Sequence, residues 1–180
     1  MSLDKKDRLI IAGQLRILEA LHPKEAAHYR QCRIAVEEGY ELHYSGLLEP
    51  IQDPMSMVDC REIQVVLEMH CQLKNALDRL GKIKGIKKGD VRFRGFHEGS
   101  ESRQLGYARF VIDELGRYDE LRDKKQKGDF ASDTPMLPVY RRMIVNWRAL
   151  DDRVRYKMDR AALHQVLDAR GWNEDFDAED

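Results

Sequence analysis

The sequence lacks the features of membrane-spanning and exported proteins. No run approaches the roughly 20 apolar residues that a spanning helix needs, so membrane insertion is not expected. No apolar segment with a small-residue cleavage site opens the sequence, so export is not expected either. Only three cysteines are present, Cys32, Cys60 and Cys71, and they form no CxxC motif. Because three cysteines cannot all pair, the sequence favours a reducing, cytoplasmic environment.

The sequence also lacks an excess of charge of one sign. It contains 31 basic and 32 acidic residues, for a formal net charge of −1. A general attraction of the whole protein to nucleic acid or to another polyanion is therefore not expected. The charges are nevertheless uneven, since residues 37–62 are acidic whereas residues 79–103 and 141–160 are basic. This distribution is compatible with ordinary variation among surface helices or with complementary faces, within the fold or between subunits.

Motifs for phosphate and magnesium binding are missing. Residues 81–90 are rich in glycine and lysine but do not contain the GxxxxGK[ST] order of a phosphate-binding loop. Glu38 and Glu41 belong to an EExxE pattern similar to the Mg²⁺-binding motif of all-helical nucleotide pyrophosphatases. Gly39 is expected to end the helix between these two acids, and no ExxD pattern follows on a later helix.

A zinc site or a cysteine nucleophile is not indicated either. His70 and Cys71 are adjacent on a predicted helix and point about 100° apart, so they are poorly placed to bind one ion with Cys60. His70 is instead predicted to be a packed core histidine. The sequence therefore predicts no metal, no cofactor and no recognisable catalytic motif.

Hydrophobic periodicity predicts an all-α fold. The length of 180 residues suits one domain, and 42% hydrophobic with 35% charged residues suits a soluble helical protein. We expect a multihelical single domain over residues 4–171, with six or seven helices and little or no strand. Residues 172–180 hold five acids and are predicted to form a disordered tail.

Helix starts are predicted from capping residues and prolines. Asp4, Ser56, Thr134 and Asp159 are expected N-caps, because a short polar side chain accepts a hydrogen bond from a free N–H of the first turn. Pro23 and Pro135 are each expected at a first helical position. A sixth start is expected at Ser100 or Ser102. The predicted helices cover about residues 5–21, 23–38, 56–80, 100–115, 134–150 and 159–170. Between them we expect a connection of one or two turns over 40–55, a short extended piece at 91–95 and a surface loop over 119–133.

Two apolar stripes are expected on these helices. In the first helix the stripe is approximate and comprises Leu9, Ile10, Leu15, Ile17, Leu18 and Leu21. In the 56–80 helix, spacings of three and four produce a stripe of Ile63, Val66, His70, Leu73, Leu77 and Leu80. This second stripe is compatible with core packing or with subunit pairing. An interface between subunits is expected on the Ile63–Leu80 or Pro135–Leu150 helices.

Residues 91–118 combine aromatic residues, glycines and five arginines, as no other stretch does. Polar groups here are candidates for a pocket that binds an anionic ligand, walled by Phe93, Phe96 and Phe110. The alternative is a structural network in which Arg109 pairs with a carboxylate. The candidate ligand-binding residues are Arg94, His97, Glu101, Tyr107, Arg109, Arg117 and Tyr118.

Short motifs in and after this stretch resemble those of the YfbU family of bacterial proteins. They are Phe93-x-Gly95-Phe96, Leu105-Gly106-Tyr107-x-Arg109-Phe110, Gly116-Arg117-Tyr118 and Thr134-Pro135-Met136. The resemblance covers roughly residues 4–168. It implies a multihelical fold and homo-oligomerisation, but no reaction. This chain has His97 where the family commonly has Asp, which weakens a catalytic role at that position.

The expected function is that of a cytoplasmic helical interaction or regulatory protein that acts as a homo-oligomer, with an unknown protein partner. The alternative is a small-ligand-binding protein or enzyme with a polar pocket around Glu101, Arg109 and Tyr118. A third hypothesis is a weak or indirect association with nucleic acid through the basic segment 82–94; direct binding is not expected, because no helix-turn-helix or RNP pattern is present.

Overall fold

The chain folds into helices that form two compact units. The structure, a computed structural model, describes residues 3–49, 51–122 and 130–171. The units are Met1–Pro54, here called unit 1, and Met55–Asp180, here called unit 2. Their described residues form eight α-helices and one two-stranded sheet, which confirms the predicted all-α class.

Some predictions fall on residues that the structure does not describe. The predicted tail at 172–180 lies outside the described residues, as does the 123–129 part of the predicted loop. Across the parts of the chain that are described, we find no helix with the length and apolar character needed to cross a membrane.

Unit 1 is a helical hairpin followed by two short turns. Helix α1 spans Lys5–Leu21, and α2 spans Ala26–Glu38. A 3₁₀ turn and a single α-helical turn, α3, follow at Glu41–His43 and Ser45–Leu48, as the sequence predicted. The small core consists of Ala12, Leu15, Val36 and Tyr44.

The ends of these helices agree with local signals except at one proline. Asp4 accepts hydrogen bonds from the backbone N–H groups of Lys6 and Asp7, at 2.6 and 2.8 Å, which confirms the predicted cap. Gly39 ends α2 in the left-handed conformation, with φ of 79°. The predicted start of α2 at Pro23 is wrong by three residues, because residues 22–25 form a turn closed by the Glu25 N–H and the His22 carbonyl.

Unit 2 is built around α4, which spans Met57–Leu80. Ser56 caps α4 by accepting a hydrogen bond from the Asp59 N–H at 3.0 Å, as predicted. Helix α4 packs against α5 (Ser102–Arg109), α6 (Leu137–Ala149) and α8 (Arg160–Asp168). Its apolar stripe is buried from Ile63 to Leu77, which confirms core packing.

The remaining elements of unit 2 depart from the prediction at several points. Helix α5 has no side-chain cap, so neither Ser100 nor Ser102 caps it, and it continues as a π-helical turn over Phe110–Glu114. Strand β1 (Phe96–His97) pairs in parallel with β2 (Ala131–Ser132), so extended structure lies beyond the expected 91–95. A short helix α7 (Asp152–Tyr156) precedes α8, which Asp159 caps as predicted.

Candidate functional site

A single buried carboxylate joins three segments of unit 2. Glu101 precedes α5 and is only 5% exposed. Its Oε2 accepts hydrogen bonds from the backbone N–H groups of His97 and Met136, both at 3.0 Å. Its Oε1 accepts one from the Leu137 N–H at 2.8 Å. We call this carboxylate and its three amides the Glu101 clamp.

The Glu101 clamp replaces the predicted cap of α6. The first N–H groups of a helix have no partner within the helix and need an acceptor from elsewhere. Thr134 was expected to supply it, but the Thr134 hydroxyl lies 3.9 Å from the Met136 sulfur, and α6 begins only at Leu137. A negative carboxylate at this end is also stabilised by the helix dipole. A residue 35 positions away in the sequence therefore caps α6 and fixes β1.

Aromatic side chains pack beside the clamp. The Tyr140 hydroxyl, on α6, donates a hydrogen bond to the Gly95 carbonyl at 3.0 Å. Burial raises the pKa of Tyr140, so its hydroxyl stays protonated and keeps this bond. Phe93 and Phe96 are buried in the same cluster, whereas Phe110 is 47% exposed. Two of the three expected pocket walls are therefore core residues.

Gly95 allows two backbone segments to approach closely. Its φ is 80°, and a β-carbon at this position would lie 1.6 Å from the Phe130 carbonyl oxygen. That oxygen accepts a hydrogen bond from the Phe96 N–H at 2.9 Å. Any other residue would push the two segments apart, so the glycine of the Phe93-x-Gly95-Phe96 motif has a structural role.

His70 is a core residue, as predicted. Its Nδ1 lies 3.2 Å from the Val91 carbonyl oxygen, which can only accept, so Nδ1 carries the proton and donates. Burial lowers the pKa of His70 to about 4, and the charge of Arg170 acts in the same direction. The ring is therefore neutral at pH 7. Among the described residues, none forms a hydrogen bond with its Nε2.

Two of the predicted site residues flank Gly95. Arg94 and His97 are both half-buried. The His97 Nδ1 accepts a hydrogen bond from the Ser100 backbone N–H at 3.0 Å, so in the neutral ring the proton is on Nε2. The side chain of His97 thus stabilises the turn that carries Glu101, while its backbone N–H is part of the clamp.

Tyr107 and Arg109 lie on α5 and have different partners. The Tyr107 hydroxyl accepts a hydrogen bond from the Gln64 side-chain amide at 2.8 Å, which links α5 to α4. The Arg109 guanidinium lies 3.7 Å from the carboxylate of Glu98, and both side chains are at least one-third exposed. An exposed pair at this distance contributes little stability.

Tyr118 and Arg117 lie beyond the π-helical turn. Tyr118 has a φ of 57°, in the left-handed region, and burial raises the pKa of its hydroxyl, with a further contribution from Glu68. Beside it, the buried Cys71 donates a hydrogen bond to the Glu120 carboxylate at 2.6 Å. Burial, followed by Glu120, raises the pKa of Cys71 to about 12, so its thiol is not a nucleophile at pH 7. Arg117 is exposed.

The seven predicted ligand-binding residues thus fall into three segments of unit 2. These are the turn before α5 with the clamp (Arg94, His97 and Glu101), the α5 surface (Tyr107 and Arg109) and the segment after the π-helical turn (Arg117 and Tyr118). Sequence reasoning identified Glu101 but not its role, because no local signal connects it to Met136 and Leu137.

The possible metal ligands were also located. Within the described ranges, no group of three or more His, Cys, Asp or Glu side chains is arranged to hold a metal ion. Glu38 is the last residue of α2, and Glu41 begins the following 3₁₀ turn, so the left-handed Gly39 separates them as predicted.

The basic segment 82–94 forms a turn on the surface of unit 2. Ile83 and Ile86 form an antiparallel bridge and pack against the core. The lysines around them, Lys82, Lys84, Lys87 and Lys88, are exposed, whereas Arg92 and Arg94 are half-buried. The six basic residues proposed for nucleic-acid association are therefore not equally accessible.

Unit 1 carries an apolar surface that the sequence did not predict. The expected stripe of α1 is split: Leu15 is buried, but Leu9, Ile10, Ile17 and Leu21 are 76, 60, 59 and 69% exposed. Ile10, Gly13, Ile17 and Leu21 lie on the side of α1 away from Ala12 and Leu15, which pack in the unit 1 core, and Leu9 lies at the edge of that side. We call them the outer face of α1. The expected interface stripe on α4 is instead buried within the chain.

A comparison with known protein families supports the resemblance in the sequence. The family model of the YfbU domain matches residues 1–169, which is nearly the whole chain.

Proposed function

This chain belongs to the YfbU family, and we propose that it is a cytoplasmic interaction or regulatory protein that acts as a homo-oligomer. The observation that carries this proposal is the outer face of α1. Large apolar side chains exposed together on one helix are typical of surfaces that bind another protein. The three cysteines are free thiols, which suits a reducing compartment.

The composition of unit 1 supports a partner for this unit. Among its described residues, five hydrophobic side chains are buried, of which two are alanines. Eight large hydrophobic side chains are at least 43% exposed: Leu9, Ile10, Ile17, Leu21, Ile34, Tyr40, Leu42 and Ile51. A small unit with so few buried apolar groups gains little stability from its own core. Association of unit 1 with another surface would bury part of the exposed set.

The outward side of α2 provides an internal comparison. Arg30, Gln31 and Glu38 are exposed there, and Ile34, at 43% exposed, is the one large apolar side chain that α2 exposes. Helix α1 belongs to the same hairpin but exposes four such side chains, each at least 59% exposed. The difference favours α1 as the part of unit 1 that contacts another subunit.

Sedimentation velocity across about 1 to 100 µM protein tests the proposal, because this range brackets micromolar dissociation constants. The wild-type chain is expected to sediment as an oligomer that dissociates on dilution. An Ile10→Glu/Ile17→Glu variant is expected to be monomeric, because association would desolvate its new carboxylates.

The matched control is Ala27→Glu/Gln31→Glu, which adds the same charge at exposed positions of α2. It is expected to keep the wild-type oligomer. A wild-type chain that is monomeric throughout the range would refute the proposal. Equal effects of the two double variants would show that added charge, rather than the apolar face, controls association.

A further inference from the structure

Gly13 lies in the middle of the outer face of α1. Its φ is not positive, so its backbone is one that any residue can adopt. Apart from its two chain neighbours and the backbone of its own helix, no described atom lies within 4 Å of the place where its β-carbon would be. Glycine within a helix is destabilising relative to alanine. The fold of a single chain therefore gives no reason for glycine here, whereas close approach of a second helix does.

We propose that two copies of the chain pair through the outer face of α1, with the two helices antiparallel and crossing at Gly13. This inference rests on the proposed homo-oligomer and specifies its contact. At the crossing, the absence of a side chain lets two helix backbones approach closely, as small residues do in other helix pairs. The large apolar side chains on either side then pack against the partner helix.

The outer face is self-complementary about Gly13. In a two-fold symmetric dimer, the same surface of both subunits must fit itself. Leu9 and Ile17 each lie four residues from Gly13, so an antiparallel crossing brings Leu9 of one copy to Ile17 of the other. Both residues are more than half exposed in the single chain.

Charge favours the antiparallel over the parallel arrangement. Residues 4–8, at the start of α1, carry three basic and two acidic side chains, a net charge of +1, beside the positive end of the helix dipole, and the last turn has no basic residue. A parallel pair would place two ends of the same net charge and the same dipole sign side by side. An antiparallel pair instead places each lysine-bearing end beside the partner's carbonyl end.

The available area suits a reversible dimer. The exposed parts of Leu9, Ile10, Ile17 and Leu21 amount to about 2.6 whole side chains. At on the order of 100 Å² for each, two copies would bury about 500 Å² of apolar surface. Since interfaces are a little over half apolar, the total is about 900 Å², which is below the roughly 1,200 Å² of stable interfaces and in the range of weak, reversible ones. The expected dissociation constant is therefore micromolar.

Disulfide cross-linking of the full-length chain tests the geometry, because it requires Cα atoms within about 7 Å. The background is Cys32→Ser/Cys60→Ser, with the buried Cys71 retained. In this background Gly13→Cys is expected to form a covalent dimer under mild oxidation. A Gln31→Cys control, at an exposed position of α2, is expected to remain uncross-linked.

A mixing experiment determines the direction of the helices. Leu9→Cys and Ile17→Cys, each in the same background, are expected to cross-link with each other in an equimolar mixture more than either does alone. More cross-linking of each variant alone than of the mixture would indicate parallel helices and overturn the proposed arrangement.

The Gly13→Leu variant distinguishes close packing of the two helices at Gly13 from non-specific apolar association. The substitution adds apolar surface where the single chain has open space, so the helix content should be unchanged by circular dichroism. We expect the dimer dissociation constant to rise at least about tenfold, because the new side chains hold the helices apart. An unchanged or lower dissociation constant would overturn the crossing at Gly13.

Sedimentation and cross-linking together distinguish an oligomer with a different interface from a chain that does not associate. A chain that sediments as an oligomer but shows no Gly13→Cys cross-link has its interface elsewhere, which refutes only the crossing. A chain that is monomeric at every concentration refutes both.

Discussion

We expect a small chemical change in the Glu101 clamp, from glutamate to glutamine, to lower the stability of unit 2 strongly. Glu101→Gln keeps the shape of the side chain but removes its charge and one of its acceptor oxygens. If the remaining oxygen keeps the His97 and Met136 amides, the new NH₂ group faces the Leu137 N–H, and two donors meet.

The magnitude follows from the bonds that change. A buried donor left without a partner costs about 1–3 kcal/mol, and hydrogen bonds lose strength when the acceptor loses its charge. Removal of a negative charge from a helix N-terminus costs about another 0.3–1 kcal/mol. We therefore expect Glu101→Gln to lower the free energy of unfolding of unit 2 by about 3 kcal/mol. For a chain of this size, the melting temperature would fall by roughly 6–12 °C.

Urea unfolding followed by circular dichroism measures this change, provided that the m-value is the same in both proteins. Hydrogen exchange adds a local measurement, since the amides of Met136 and Leu137 should lose protection in the variant. Glu98→Gln is the matched control, because Glu98 has an exposed side chain 3.7 Å from Arg109 and should contribute less than about 0.5 kcal/mol. A Glu101→Gln protein as stable as Glu98→Gln would refute the role of the clamp.

Two further predictions concern buried ionisable groups. The pKa of His70 is about 4 in the folded chain and 6.5 without burial. As the pH falls from 6.5 to 4, the His70 imidazole therefore becomes protonated in the unfolded chain before it does so in the folded chain. This difference should lower the free energy of unfolding by up to about 3 kcal/mol over that pH range. Urea midpoints measured across the window should show a weaker pH dependence in His70→Gln; equal slopes would contradict this origin. Because the pKa of Cys71 is raised to about 12, iodoacetamide at pH 7.5 should alkylate it on the order of 100- to 1,000-fold more slowly than a free cysteine. Mass spectrometry should show faster alkylation in Glu120→Gln, and an unchanged rate would exclude the contact with Glu120 as a cause.

Local signals in the sequence were sufficient for several helix ends. Asp4, Ser56 and Asp159 each accept a hydrogen bond from an amide only two or three residues ahead. Gly39 similarly ends the helix that directly precedes it, by adopting the left-handed conformation. Such interactions depend on neighbouring residues alone, so their patterns can be read without knowledge of the tertiary fold.

Contacts between distant segments could not be predicted in this way. The acceptor for the first amides of α6 is Glu101, and the partner of Phe96 in the sheet is Ala131. Thr134 and Pro135 form a plausible local start signal, but the fold provides a buried carboxylate that satisfies two α6 amides and β1 together. A stronger nonlocal interaction thus displaced the local one.

The apolar residues of α1 extend around more of the helix than packing against one neighbour requires. A helix that packs on one neighbour needs an apolar arc of about 100°. Ile10 and Leu15, five residues apart, point about 140° away from each other, so they cannot share such an arc. The hairpin with α2 buries the Leu15 side, which leaves the Ile10 side exposed. Glycine at position 13, with open space around it, lies within that exposed side. An apolar surface that the hairpin does not need, centred on a residue that the helix does not favour, is best explained by contact with a second helix.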